Sequence, residues 1–297
     1  MHHLMVQDIL KKKFGSHTVL LNKSPPRHPE QAEREYIRVI TQYMKILKDE
    51  LKKELPAIKE LIEEEAQGRR NDDLSSLMSR LSKIFIGINA KLSKKMARYK
   101  LEQKLNMVGY VSSKIALENW KRIIEQTLGV QLEDDYYTGE LFQQLIRQWV
   151  AENTALIKSV PDEAMKKIQN EIINGYQTGR HVSKIAKAVN LAYLTEKNRA
   201  RFIARDQVAK LNSQISRVQQ EDAGVTEYIW STSGDSRVRE GHRALDGKRF
   251  KWSSPPIVDA KTGRRCHPGE DYQCRCVALA VFDYNTIDLP IRGNGGG

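Results

Sequence analysis

The chain has 297 residues, of which 40% are apolar and 29% charged, and it carries a formal net charge of +12 at pH 7. That length suffices for a sizeable core in one large domain or two ordinary ones, and two are expected. No apolar run approaches the roughly 18 residues of a membrane-spanning helix, and the first ten residues lack the basic-then-apolar order of a secretory signal, so a cytoplasmic chain with no membrane partner is expected.

Residues 1–29 contain Lys11-Lys-Lys13 and the proline-rich Ser24-Pro-Pro-Arg-His-Pro29, which reads as a short helix followed by a basic flexible arm and linker. From Glu30, Tyr36, Val39, Ile40, Tyr43, Leu47, Leu51, Ile58, Leu61 and Ile62 recur at three and four, the period of a long amphipathic helix. Pro56 is placed to kink or divide it and Gly68 to end it. Asn71 is a suitable N-cap for a second helix, with Leu77, Leu81, Phe85, Ile88 and Leu92 along one side. A third helical run passes through Ile115, Trp120, Ile123 and Ile124 to Gly129, and a fourth through Leu141, Leu145 and Trp149 to about Ile157.

Pro161 suits a first helical turn, which predicts a separate helix from about Asp162 to Gln177. A short helix over 179–189 and a longer one capped by Thr195 and ended by Gly224 complete the helical part. Beyond Gly224 the texture changes. Val225–Trp230 is dense in β-branched and aromatic residues, Val277–Phe282 is an apolar run of strand length, and turn formers lie between them. The fold class is therefore mainly α: long amphipathic helices in the N-terminal two thirds, then a small α+β module whose two strands pair. The expected division is an arm at 1–29, a helical domain at 30–158, a second helical part at 159–222, the module at 223–285 and a disordered tail at 286–297.

The positive charge is unevenly spread. From Gly224 onward 11 basic residues face 9 acidic ones, whereas residues 71–125 hold 11 against 5 and residues 177–222 hold 9 against 4. The surplus lies on the helices, and Lys91, Lys94, Lys95 and Arg98 are the candidate contacts to DNA phosphates; the plainer reading is a solvated helix face.

All three cysteines, Cys266, Cys274 and Cys276, fall in one short segment, which fits a disulfide framework poorly and reduced thiols or a metal site better. His242, His267, Cys274 and Cys276 supply the four Cys and His ligands of a structural zinc site, against the alternative of buried thiols beside a hydrogen-bonded histidine. A metal-dependent nuclease built on His242 with Asp235, Asp246 or Asp259 is a rival reading, as is a free-standing nucleic-acid-binding protein. Thiol-rich ligation favours a closed structural site, so no catalytic residue is assigned and the protein is not expected to be an enzyme.

An ordered set of motifs runs through the last third: Ala200–Gln207, Ala223-Gly-Val225, Tyr228-Ile-Trp230, Asp235-Ser-Arg237-Val-Arg239, His242, Leu245-Asp-Gly247 and Cys274-Arg-Cys276. In order and spacing it resembles the phage Mu F-like minor head protein family, the phage head morphogenesis proteins, over about residues 160–282. The resemblance implies a minor structural protein of a tailed-phage head, in the virion and in the host cytoplasm during assembly. It implies portal, scaffold or major capsid protein and phage DNA as partners, in procapsid assembly or DNA delivery. One departure from the family's pattern is Gly269-Glu-Asp-Tyr-Gln273, which intervenes between His267-Pro268 and the closing Cys-Arg-Cys.

Overall fold

The computed structural model describes residues 2–15, 19–67, 73–133, 140–178 and 180–292. The helices are α1 (His2–Phe14), α2 (Glu30–Gln67), α3 (Asp73–Arg98), α4 (Leu101–Leu128), α5 (Glu140–Gln177), α6 (Val182–Asp222) and the short α7 (Glu240–Arg243). Strands β1 (Val19–Leu21), β2 (Glu227–Ser231), β3 (Arg249–Lys251) and β6 (Val277–Asp283) form one antiparallel sheet in the order β1-β6-β2-β3. β4 (Ile257–Asp259) and β5 (Arg264–Arg265) pair as a small ribbon. The mainly helical architecture with a small sheet module near the C-terminus is as the periodicities predict. Among the described residues no helix is long and apolar enough to cross a membrane.

The chain forms two compact units, each assembled from separate stretches. One comprises Arg34–Met107 and Val150–Ala204. Its α2 stripe is buried as the spacing demands, with Tyr36, Ile40, Met44 and Leu47 all at 1% exposure or less. Polar side chains inside it are matched: the Tyr36 hydroxyl donates to Asn153 Oδ1 at 2.6 Å, and Tyr99 donates to the Val39 carbonyl at 2.9 Å. Buried Glu50 is held by Lys95 and, at 3.2 Å, by Lys53; buried Glu196 is held by Lys167 and Arg199.

The other unit comprises Met1–Glu33, Val108–Trp149 and Arg205–Gly297 and contains the sheet. One of its clusters gathers Val6 and Leu10 of α1, Trp120, Ile124 and Leu128 of α4, and Phe282, Tyr284, Ile287 and Leu289 around the end of β6. A second cluster, Tyr228, Trp230, Trp252, Val258, Cys274, Cys276 and Ala278, fills the space under the loops that join β2 to β6. Both tryptophans of that cluster are core residues, at 0% and 3% exposure. β2 and β6 pair from Glu227↔Val281 to Ser231↔Val277.

Several boundaries differ from those that proline and capping rules give. The Asp162–Gln177 helix does not start anew: Pro161 lies inside α5, so the break expected near residue 158 falls in mid-helix. Flanking residues Ile157, Val160, Ala164 and Met165 are all buried, and their packing outweighs the missing donor. α2 likewise continues through Pro56, and α6 through Thr195, whose hydroxyl donates back to the Leu191 carbonyl at 2.9 Å instead of capping.

The opening 29 residues are more than arm and linker, because β1 pairs with β6 through Val19↔Asp283 and Leu21↔Val281, and α1 lies in the core. The tail expected to be disordered from 286 is packed as far as Arg292, since Ile287, Leu289 and Ile291 are buried and the Arg292 N–H donates to the Gln131 carbonyl. Readings that rest on Gly68, Asn71, residue 179 and residues 293–297 lie outside the described residues.

Candidate metal centre

The motif residues converge on the second cluster of the sheet-bearing unit. Asp235 accepts from the Arg237 backbone N–H at 3.0 Å, closing the turn after β2, and pairs with Arg275 at 2.6 Å. Arg275 separates the two cysteines, so this ion pair ties the Asp235–Arg239 motif to the closing Cys-Arg-Cys. The guanidinium of Arg275 holds the Asp235 carboxyl below its usual range. Gly247, at φ +72°, turns the chain back onto β2: its N–H donates to the Trp230 carbonyl at 2.8 Å, while the Trp230 N–H donates to the Lys248 carbonyl.

His242 sits on α7 and is 2% exposed, with the Trp230 ring edge-on at 5.4 Å. Cys274 and Cys276 lie two apart where the chain enters β6, so an extended backbone sends both side chains to the same side. Cys274 Sγ is 3.4 Å and Cys276 Sγ 3.5 Å from the same His242 nitrogen, Nδ1. All three ligand atoms lie within 4.8 Å of one another, and all three residues are buried. The other ring nitrogen, Nε2, faces Asp271 Oδ2 at 3.1 Å.

Asp271 is itself 6% exposed and is shared by Arg264 at 3.0 Å and Arg239 at 3.5 Å. Arg239 also donates to the Tyr272 carbonyl at 2.5 Å. The loop that carries Asp271 is fastened to α6: Asp206 accepts the Gln273 N–H at 2.6 Å, and the Ser213 hydroxyl donates to the Pro268 carbonyl at 2.5 Å. Asp206, in the Ala200–Gln207 motif, thus positions the loop from the neighbouring helix.

The surroundings move the Cys274 thiol and the His242 imidazole in opposite directions. The Cys276 thiol, His242 and the backbone N–H groups of Cys276 and Gly269 hold the Cys274 thiol far below its ordinary value. Cys276 moves the opposite way, chiefly through its bond to Cys274 and then through burial. His242 is raised, first by its bond to Cys274 and further by Asp271. Cys266, half-buried, has its thiol pushed up to about 12 by burial.

Of the four residues expected as ligands, three come together and His267 does not. Its Nδ1 meets the Tyr228 hydroxyl at 2.9 Å, and its backbone N–H donates to Glu270 Oε2 at 2.7 Å, which engages it with Tyr228 and Glu270 instead. Burial lowers its basicity. Asp235, Asp246 and Asp259 do not reach the cluster either: Asp246 accepts the Thr232 N–H, and Asp259 organises its own turn through Lys261 and Thr262. The carboxylate that does reach it is Asp271, in the segment 269–273 that precedes the closing Cys-Arg-Cys.

The four lysine and arginine residues expected to face DNA are on α3 and do not act alike. Lys91 pairs with Glu54 at 2.6 Å and Lys95 with buried Glu50, whereas Lys94 and Arg98 are exposed.

Comparison with known proteins yields a family model described as Phage Mu protein F like protein, which matches residues 166–279. An uncharacterised protein of Haemophilus influenzae is 34% identical over 162 residues, covering 54% of this chain and 35% of that protein. The NAD(+)--arginine ADP-ribosyltransferase EFV of Enterococcus faecalis is 27% identical over 142 residues, with 43% and 28% covered. Minor head protein GP7 of Bacillus phage SPP1 is 28% identical over 130 residues, with 41% and 42% covered. The chain thus spans less than half the length of each of these relatives. No solved structure matches.

Proposed function

We propose, from the match of residues 166–279 to the phage Mu protein F-like family model, that this chain is a member of that family and a minor structural protein of a tailed-phage head. In this reading it docks on the portal, scaffold or major capsid protein, acts in procapsid assembly or DNA delivery, and resides in the virion after assembly in the host cytoplasm. The family match carries the reading, and the similarity to a phage minor head protein over 130 residues supports it.

The role is structural and not enzymatic. Cys274, His242 and Asp271 have the order of a nucleophile, a base and an orienting carboxylate, but the sulfur and the imidazole are buried and Asp271 is neutralised by two arginines. A nuclease needs carboxylates around an open metal, and Asp235, Asp246 and Asp259 are engaged elsewhere.

Co-sedimentation of the purified full chain with portal protein and with procapsids tests the assignment. Binding to either supports it, and binding to neither, together with no retardation of DNA at low salt, overturns it. Plasmid cleavage with magnesium, manganese or zinc that is lost in His242→Ala would replace it with the nuclease reading.

A further inference from the structure

We propose that His242 Nδ1, Cys274 Sγ and Cys276 Sγ together hold a tetrahedral zinc ion, oriented from behind by Asp271 through His242 Nε2. Tetrahedral zinc with bonds of about 2.3 Å to sulfur and about 2.0 Å to nitrogen sets its nitrogen and sulfur ligands about 3.5 Å apart. The two sulfurs lie 3.4 and 3.5 Å from one nitrogen.

A hydrogen bond explains only half of that arrangement. Nδ1 has one lone pair or one proton, so it makes one directed bond to one sulfur. A metal ion placed between the three atoms accounts for both distances at once. Asp271 Oδ2 stands 3.1 Å from Nε2, and a zinc-bound neutral ring would donate its Nε2–H there while its Nδ1 lone pair faces the sulfurs. A carboxylate behind the histidine is the usual outer partner of a zinc-bound imidazole. Asp271 is in turn held by Arg239 and Arg264, so the ring has a fixed orientation.

The Cys276 N–H points at Cys274 Sγ at 3.4 Å, a contact that disperses the charge of a ligating thiolate. Zinc would join α7, on one side of the turn-rich stretch, to the entry of β6 on the other. Among the described residues no further His, Cys, Asp or Glu belongs to the group.

The test is metal analysis of the full chain purified without chelator and without added metal, with cobalt(II) exchange as the spectroscopic readout. About one zinc per chain is expected, with the intense visible bands of tetrahedral thiolate-bound cobalt after exchange. Cys276→Ser and His242→Ala should lose the metal, while Cys266→Ser and His267→Gln keep it. Asp271→Asn retains all three ligands and should weaken zinc binding about 10–100-fold in a competition titration with a coloured chelator. Wild-type protein that is folded by circular dichroism yet holds less than about a tenth of an equivalent, and takes up no cobalt, overturns the proposal. So does metal that stays bound in both Cys276→Ser and His242→Ala.

Discussion

Gly224 and Gly247 share a left-handed backbone, at φ +73° and +72°, but not a neighbourhood. A side chain at Gly224 would run into the Thr286 carbonyl, whereas nothing lies near a side chain at Gly247. Gly247→Ala should therefore cost only the backbone term, about 1–2 kcal/mol. Gly224→Ala adds a backbone clash and should cost more, about 3 kcal/mol or above. Urea unfolding of the two variants separates these contributions, and equal losses would mean that the segment around Thr286 yields. The candidate metal centre was partly open to the same residue-scale view. His242, Cys274 and Cys276 were legible because soft ligands in a turn-rich segment are rare. Asp271 was not, since an aspartate in an acidic loop carries no mark of which histidine it will meet.

Among the helices, Glu50 links α2 to α3 through Lys95 and is 2% exposed. Lys95 and Lys53 hold its carboxyl below the ordinary value. A carboxyl lowered in the folded state contributes stability above the unfolded value and loses it as pH falls through the folded one. Thermal unfolding of wild type should therefore fall in acid more steeply than that of Glu50→Gln, with the two curves converging below the carboxylate range. At neutral pH, Lys95→Ala should cost about 1 kcal/mol, because the lysine is partly exposed and Lys53 remains.

Lys94 and Arg98 allow the opposite test. If α3 lies along DNA, Lys94→Ala with Arg98→Ala should leave stability unchanged and reduce the salt slope of DNA binding by about 2. An unchanged slope would remove α3 from the contact surface. Pro56 is exposed inside α2, so Pro56→Ala should raise stability by up to about 3 kcal/mol and keep the helical circular dichroism. No gain would mean that the helix is divided there in solution. The apolar period of α2 and α3 was visible in the sequence, while continuity through Pro56 and Pro161 was not. Local rules weigh a missing donor without the packing that compensates for it.

The opening segment has the widest consequence for the sheet-bearing unit. β1 adds an outer strand to β6, and Val6 and Leu10 are fully buried beside Phe282. Leu10→Ala should cost about 2–5 kcal/mol, the range for a core leucine. Removing residues 1–21 should make the chain aggregate or become sensitive to protease near residue 282, since the edge of β6 is then bare. Equal solubility and equal protease resistance of the truncated protein would show that the segment is dispensable.

The sequence by itself determined the mainly helical class and the β2–β6 pairing, and it carried the resemblance to the phage Mu F-like family and the candidate ligands His242, Cys274 and Cys276, because these rest on local period and on the order of uncommon residues. Only the tertiary structure brought β1 to β6 from the opposite end of the chain, packed residues 286–292, turned His267 toward Tyr228 and set Asp271 behind His242. Each of those contacts joins segments whose own sequences carry no sign of the partner. They form because burying shared apolar surface and pairing buried charges outweigh the cost of ordering the chain between them.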